Sequence, residues 1–153
     1  MSLHRRTVIK AIATGGALVG ASVLMPKLAF AAWNKSAFEA KDQTAAMKAL
    51  LGAENAENSS EVTLKAPDIA ENGAVVPVTV SSTLADVESM SVFIQDNPSP
   101  LAAEFMIPAG TAANVATRVR MGKTSKVTAV VKAGGKLYSA SKEVKVTIGG
   151  CGG

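Results

Sequence analysis

The sequence is poor in the residues that most enzymes use for covalent and metal chemistry. Its 153 residues include one histidine, one cysteine, one tryptophan and one tyrosine. The histidine, His4, lies in an N-terminal segment that we expect to be removed. The remaining chain then lacks the imidazole that Ser-His-Asp and Cys-His nucleophile pairs require, and it lacks the usual zinc and haem attachment motifs. A single cysteine also excludes a disulfide within the chain.

Residues 1–31 have the pattern of an export signal. Arg5 and Arg6 precede an apolar run that is too short and too rich in glycine and alanine for a membrane span. Ala29-Phe30-Ala31 then matches an A-x-A cleavage site. The adjacent arginines resemble a twin-arginine signal, so we predict cleavage after residue 31 and a location in the periplasm. An uncleaved N-terminal anchor is the alternative.

The formal net charge of +4 belongs to this leader. Residues 1–31 hold four of the 16 basic residues and none of the 12 acidic ones, which leaves 12 of each in the mature chain. Nucleic-acid binding requires a concentrated positive face, so no nucleic-acid partner is expected. We likewise expect no membrane association after removal of the signal.

The mature chain is predicted to begin with a helix. Helical periodicity covers residues 33–51, with Ser36 as N-cap, Glu39 completing a capping box and Gly52 ending the helix. This helix and a polar loop make up residues 32–60.

Residues 61–148 are predicted to form a β-sandwich. About seven short runs rich in Val and Thr alternate there with turn residues, a pattern typical of antiparallel β-sandwiches. Gly134-Gly135 has the form of a two-residue hairpin turn. Pro77 identifies the run 74–82 as an edge or bulged strand, because proline cannot donate to a sheet ladder.

Several charged or aromatic residues could carry a function, but surface exposure or packing explains each of them at least as well. The acidic pairs are better interpreted as charges on a solvated surface. The arginine pair is better interpreted as part of a solvated or interface face. Trp33 suits an interface anchor and packing against the sheet equally well. The pairs are Asp86 with Glu88, Glu54 with Glu57, and Arg118 with Arg120.

The last five residues, Gly149-Gly150-Cys151-Gly152-Gly153, place the only thiol between two pairs of glycines. Glycine gives the chain conformational freedom and no bulk, so residues 149–153 are predicted to be a flexible arm. The local sequence does not activate the thiol, because its nearest cation is Lys145 and the terminal carboxylate favours the protonated form. We therefore interpret Cys151 as a handle to which a group is attached and on which other proteins act.

The ending Val144-Lys145-Val146-Thr147-Ile148 followed by GGCGG, on an exported β-rich chain, resembles the SoxY family. Members are sulfur-carrier subunits of the periplasmic thiosulfate-oxidising (Sox) system. The resemblance implies a mainly β fold, an immunoglobulin-like antiparallel β-sandwich with an N-terminal helix. It also implies a non-catalytic carrier without a cofactor, which holds sulfur intermediates on Cys151.

The same resemblance implies a set of partner proteins. SoxZ, a smaller β-sandwich, would form a heterodimer with this chain. SoxXA, a c-type haem enzyme, would load Cys151 with thiosulfate, and SoxB, a manganese-dependent hydrolase, would release sulfate. In some organisms SoxCD oxidises the remaining sulfur. We predict that SoxZ contacts the late strands, around residues 118–131.

Two other functions remain open at the level of sequence. Gly152-Gly153 also resembles the end of carriers that are activated as a thiocarboxylate, although those carriers are smaller, lack a leader and need ATP. An exported structural or adhesive sandwich could instead use Cys151 for an intermolecular disulfide.

Overall fold

A computed structural model of the chain describes residues 34–147. This part contains two short helices followed by nine strands. The helices are α1 (Lys35–Glu39) and α2 (Gln43–Leu51). The strands are β1 (Glu57–Asn58), β2 (Val62–Lys65), β3 (Ile69–Ala70), β4 (Val76–Ser82), β5 (Val87–Ile94), β6 (Leu101–Met106), β7 (Asn114–Val119), β8 (Ser125–Ala133) and β9 (Lys136–Val146).

The strands form two sheets that face each other. The larger sheet has the order β1-β9-β8-β5-β6, and β3 also pairs with β9; the smaller sheet has the order β2-β4-β7. Neighbouring strands are antiparallel except that the two-residue strands β1 and β3 run parallel to β9. The predicted β-sandwich is therefore confirmed. The strands beyond the seven predicted include these two short pieces, which the sequence pattern did not reveal.

The main core lies between the two sheets. Alternate residues of each strand point inward, so valines spaced two apart line the same face. The smaller sheet contributes Val76, Val78 and Val80, each at most 1% exposed. The larger sheet contributes Met90, Val92, Ile94, Val127, Ala129, Val131 and Val144.

A second apolar cluster joins the helices to the outer face of the larger sheet. Ala46 and Met47 of α2 pack there with Phe93, Leu101 and Val130. Burial against the sheet stabilises α2, since a nine-residue helix is marginal by itself in water.

The predicted single helix is wrong, because the chain has two N-caps where one was expected. The Asn34 side chain accepts a hydrogen bond from the Ala37 amide and caps α1. Asp42 adopts an extended conformation and accepts from the Ala45 amide at 2.7 Å, which starts α2. Ser36, the predicted N-cap, lies inside α1. Aspartate is favoured at helix N-caps and in turns and disfavoured inside helices. Asp42 therefore favours the end of one helix and the start of the next.

The predicted helix end at Gly52 is confirmed. Gly52 has a φ of 74° and its amide donates to the Lys48 carbonyl at 3.0 Å. This left-handed conformation costs glycine little and any other residue more. Gly134 and Gly135 likewise have positive φ values and join β8 to β9 as the predicted hairpin turn.

Pro77 lies in a central strand and not in an edge strand. β4 runs between β2 and β7, with Pro77 opposite Arg118 of β7. On the other side β2 pairs only as far as Lys65, which lies opposite Thr79. Pro77 therefore sits beyond the end of β2, where its missing amide interrupts no ladder on that side. No helix within residues 34–147 is long and apolar enough to cross a membrane.

Candidate functional site at the root of the C-terminal arm

The predicted attachment residue Cys151 and its glycines Gly149, Gly150, Gly152 and Gly153 lie outside the described residues, as does Trp33. The structure describes the chain up to the point at which the predicted arm would begin. β9 ends at Val146, and Thr147 is the last residue described. We call Lys145, Val146 and Thr147 the arm root.

The arm root is hydrogen-bonded on one side to the segment around β3. The Lys145 amide donates to the Asp68 carbonyl at 2.9 Å, and the Thr147 amide donates to the Ala70 carbonyl at 3.1 Å. β3 pairs with β9 in the parallel direction over Lys145 and Val146. The carbonyls of Asp68 and Ala70 therefore support the chain up to Thr147, the last residue described.

The other side of the arm root is held by a side chain. The Val146 amide points away from β3 and donates to the Thr124 hydroxyl at 3.0 Å. Successive amides along a strand point to opposite sides, so the three root amides alternate between these two partners. β8 starts only at Ser125, and the Thr124 hydroxyl extends the ladder beyond it.

Gly73 lies directly against the arm root. A Cβ atom at this position would lie 2.4 Å from the Met121 carbonyl oxygen and 2.8 Å from Val146 Cγ1. The Gly73 carbonyl also accepts from the Met121 amide at 2.6 Å. The turn before β4 can approach β9 this closely only because residue 73 has no side chain.

A half-buried lysine fastens the connection between β2 and β3 to β9. Lys142 Nζ donates to the Ala66 carbonyl at 2.6 Å and lies 2.9 Å from an Asp68 carboxylate oxygen. The same Asp68 supplies its carbonyl to the Lys145 amide. Lys142 thereby positions the segment that supports the arm root.

The loop between β5 and β6 forms a second polar network next to the start of β8. The Ser125 hydroxyl lies 3.0 Å from Asp96 Oδ2 and also 3.0 Å from the Asp96 amide, which donates to it. Asn97 Nδ2 donates to the Arg120 carbonyl at 2.7 Å, and its Oδ1 accepts from the Gly122 amide. These contacts fix the connection that carries Thr124.

Two of the four acidic residues considered from the sequence, Glu88 and Glu54, form side-chain contacts. Glu88 lies 2.9 Å from Lys132 Nζ and accepts from the Gly135 amide at 3.1 Å. The hydrogen bond from Lys132, and secondly that from Gly135, lower the pKa of the Glu88 carboxyl. A general acid would need the opposite shift. Glu54 forms an exposed ion pair with Lys48 at 2.8 Å.

The arginine pair has the exposure expected of a solvated or interface face. Arg118 and Arg120 are both exposed, and neither forms an ion pair within residues 34–147. Arg118 lies in β7, and Arg120 follows that strand at the same end of the sandwich as the arm root.

Glu104 was not identified from the sequence. It lies half-buried on β6, opposite Ser91 of β5, and burial raises the pKa of its carboxyl. The Ser91 hydroxyl is fully buried and has no hydrogen-bond partner among the described residues. A glutamate in a strand looks solvated in the sequence, so no local signal indicated this burial.

A polar groove of about 590 Å³ runs between α2 and the outer face of β8 and β9. Its lining includes Gln43, whose Oε1 atom is buried without a partner among the described residues. No group of three metal-ligating side chains occurs within residues 34–147. The groove lies on the helix side of the sheet and does not include the arm root.

Comparison with known proteins agrees with this architecture and covers the end of the chain. The profile of the family described as sulfur oxidation protein SoxY matches residues 47–151, which includes Cys151. The solved structure of the sulfur carrier protein SoxY from Chlorobium limicola f thiosulfatophilum is 45% identical in sequence. It aligns with a TM-score of 0.61 over 67% of this chain and 94% of its own. The immunoglobulin-like sandwich expected from the resemblance is confirmed.

More distant structures share the fold alone. A superoxide reductase (neelaredoxin) from Ignicoccus hospitalis aligns with a TM-score of 0.50 at 16% identity, over 56% of this chain and 80% of its own. No match was found among the curated proteins. The family profile extends through the sandwich, across the arm root and up to Cys151, and on this basis the chain belongs to the SoxY family of sulfur carrier proteins.

Proposed function

We propose that this protein carries sulfur intermediates covalently on Cys151 and presents them to partner enzymes. The family match, which extends to Cys151, carries the proposal. The geometry of the arm root supports it. The last described residues of β9 are hydrogen-bonded on both sides, so residues 148–153 would begin from a fixed point.

The chain length sets how far the thiol can travel. Cys151 follows Thr147 by four residues, and a fully extended chain spans at most about 3.5 Å per residue. The thiol can therefore reach about 14 Å beyond Thr147. An arm of this length could deliver a small group into a partner's active site. Its glycines would pass through an opening too narrow for residues with side chains.

The proposed chemistry on the thiol has two steps that partner proteins perform. In the first, the Cys151 thiol and thiosulfate form a sulfur–sulfur bond and release one proton and two electrons, which SoxXA, a c-type haem enzyme, would accept. In the second, water hydrolyses the terminal sulfonate to give sulfate, two protons and a persulfide anion on Cys151, with SoxB as the hydrolase. The carrier supplies only the attachment sulfur in both steps, so no cofactor is needed on this chain.

The remaining parts of the proposal follow from the same family resemblance. The carrier would act in the periplasm, reach it through the twin-arginine signal at 1–31, and form a heterodimer with SoxZ. SoxCD would act on the persulfide where it is present.

Intact-mass measurement after incubation with thiosulfate and SoxXA tests the proposal. We expect an adduct that a thiol reductant removes and that the Cys151→Ser substitution abolishes. An adduct that persists in Cys151→Ser but is lost when Gly153 is deleted would instead indicate thiocarboxylate chemistry. A disulfide-linked dimer as the only thiol product would indicate a structural role.

A further inference from the structure

The charges of residues 34–147 sum to zero but are segregated along the long axis of the sandwich. The root end is the end at which β9 and β7 finish and β4 and β8 begin. Among residues 34–147 it carries six basic and four acidic side chains, a net charge of +2. The opposite end carries two basic and four acidic side chains, a net charge of −2. The acidic residues of that opposite end are Glu57, Glu61, Asp86 and Glu88.

Four of the cations at the root end are exposed and form no ion pair among the described residues. They are Arg118, Arg120, Lys126 and Lys145. The other two, Lys123 and Lys142, are paired with Asp96 and Asp68. The pairing neutralises half of the acidic residues at this end, so the unpaired cations dominate its field.

Exposed apolar side chains accompany these cations. Only three large hydrophobic residues in the described part of the chain are strongly exposed, and two of them lie at the root end. Ile69 is 56% exposed and lies opposite Lys145, and Val75, which immediately precedes β4, is 50% exposed. Apolar residues surrounded by charged ones are typical of protein interfaces with a polar rim.

We propose that the root end is a docking face for an acidic rim around the active-site opening of the enzyme that loads the arm. The proposal rests on the carrier function proposed above and adds how the loading enzyme is recognised. It assigns Arg118, Arg120 and Lys126 to that enzyme in place of the SoxZ contact expected around residues 118–131. The partner must accept an arm that reaches about 14 Å beyond Thr147, so the carrier body comes close to the opening. A negative rim there would be attracted by Arg118, Arg120 and Lys145, which orients the carrier with its arm toward the opening.

The association rate of the chain with SoxXA, measured between about 20 mM and 500 mM ionic strength, tests the docking face. The Debye length falls from about 20 Å to about 4 Å over this range, so attraction between exposed charges is screened. We expect the rate constant to fall at least tenfold across the series. The triple variant R118E/R120E/K145E should bind about tenfold more slowly than the unmodified chain at low salt and equally fast at high salt.

A matched variant separates the docking face from net charge. K48E/K65E/K136E makes the same change in total charge at exposed positions outside the root end and should associate like the unmodified chain. Equal slowing of both triple variants, or a rate independent of salt, would overturn the docking face.

Using the Cys151→Ser chain for the binding measurement keeps the two proposals distinguishable. Binding through the root end needs no thiol, so salt-dependent association should persist in this variant. If the unmodified chain gains no adduct while association still depends on the root cations, the carrier chemistry fails and the docking face stands. If Cys151 is loaded but neither triple variant differs from the unmodified chain in association, the docking face fails and the carrier function stands.

Discussion

Gly73 and Val146 are so close that a Cβ atom on residue 73 would lie 2.8 Å from Val146 Cγ1. The same atom would lie 2.4 Å from the carbonyl oxygen of Met121, whose amide is bonded to Gly73. A flexible side chain can rotate away from such a clash, but a backbone carbonyl in a sheet connection cannot. The missing side chain at residue 73 thus allows the turn before β4 to pack against the arm root.

Gly73→Ala should therefore destabilise the protein by about 1–3 kcal/mol, the usual cost of overpacking a well-packed site. Chemical denaturation of the purified mature chain measures this change. Gly122→Ala is the matched control, because a Cβ there meets no atom within 4 Å and its φ is not in the left-handed region. Equal stability of the two variants would contradict the close contact at Gly73.

Thr124→Val should loosen the arm root with little effect on the rest of the fold. The substitution removes the hydroxyl that accepts from the Val146 amide, a net loss of about 1 kcal/mol because the amide is exposed and water can replace it. Amide hydrogen exchange at Val146 should become about fivefold faster, as that free energy implies. Thr63→Val, an exposed position on β2, should leave exchange at Val146 unchanged.

Glu104→Gln should stabilise the protein at neutral pH. Burial raises the pKa of the Glu104 carboxyl, so the folded state favours the protonated form. The stabilisation from this group is complete below its unfolded pKa of about 4.5 and is lost as the pH rises through the higher folded value. The glutamine variant should gain less than about 1 kcal/mol at pH 7, since solvent screens a half-exposed carboxylate, and nothing below about pH 4. Urea midpoints across this pH range measure the gain.

Glu88→Gln should have the opposite effect on stability. The bonds from Lys132 and Gly135 lower the pKa of the Glu88 carboxyl, so ionised Glu88 stabilises the folded state above its unfolded value of about 4.5. This contribution is lost as the pH falls through the lower folded value. The variant should unfold at lower urea than the unmodified chain at pH 7 and at the same urea in strong acid. A higher midpoint at pH 7 would contradict the role of Glu88 in holding the β8–β9 hairpin.

The strand pattern was readable from the sequence because it depends on local periodicity. Alternating valines such as Val76, Val78 and Val80 predicted one buried face, and the glycine turn at 134–135 predicted a hairpin. These features are set within a few residues of chain. The family resemblance depended on the short terminal motif, which is equally local.

The remaining features depend on contacts between distant parts of the chain. Pro77 looked like an edge residue, and only the length of β2 explains its place in a central strand. Glu104 looked solvated, and its burial follows from the position of β6 in the sheet. The helix break differs in kind, because the periodicity of residues 33–51 predicted one helix, whereas Asp42 caps a second one.

The 12 basic and 12 acidic residues that follow residue 31 cancel in number, and this sum does not show how the charges are distributed over the fold. The topology nevertheless brings Arg118, Arg120 and Lys145 to one end, although they come from β7, the segment after it and β9. The net charge, which is a sum over the whole sequence, does not show this segregation.

The most direct test of the carrier function is the intact mass of the native protein isolated from its host grown on thiosulfate, before and after treatment with a thiol reductant. The account predicts a mature chain beginning near residue 32 that carries sulfur adducts on the C-terminal peptide containing Cys151, and that returns to the unmodified mass on reduction. A native protein with an unmodified Cys151 under these conditions, or with sulfur bound only elsewhere, would contradict it.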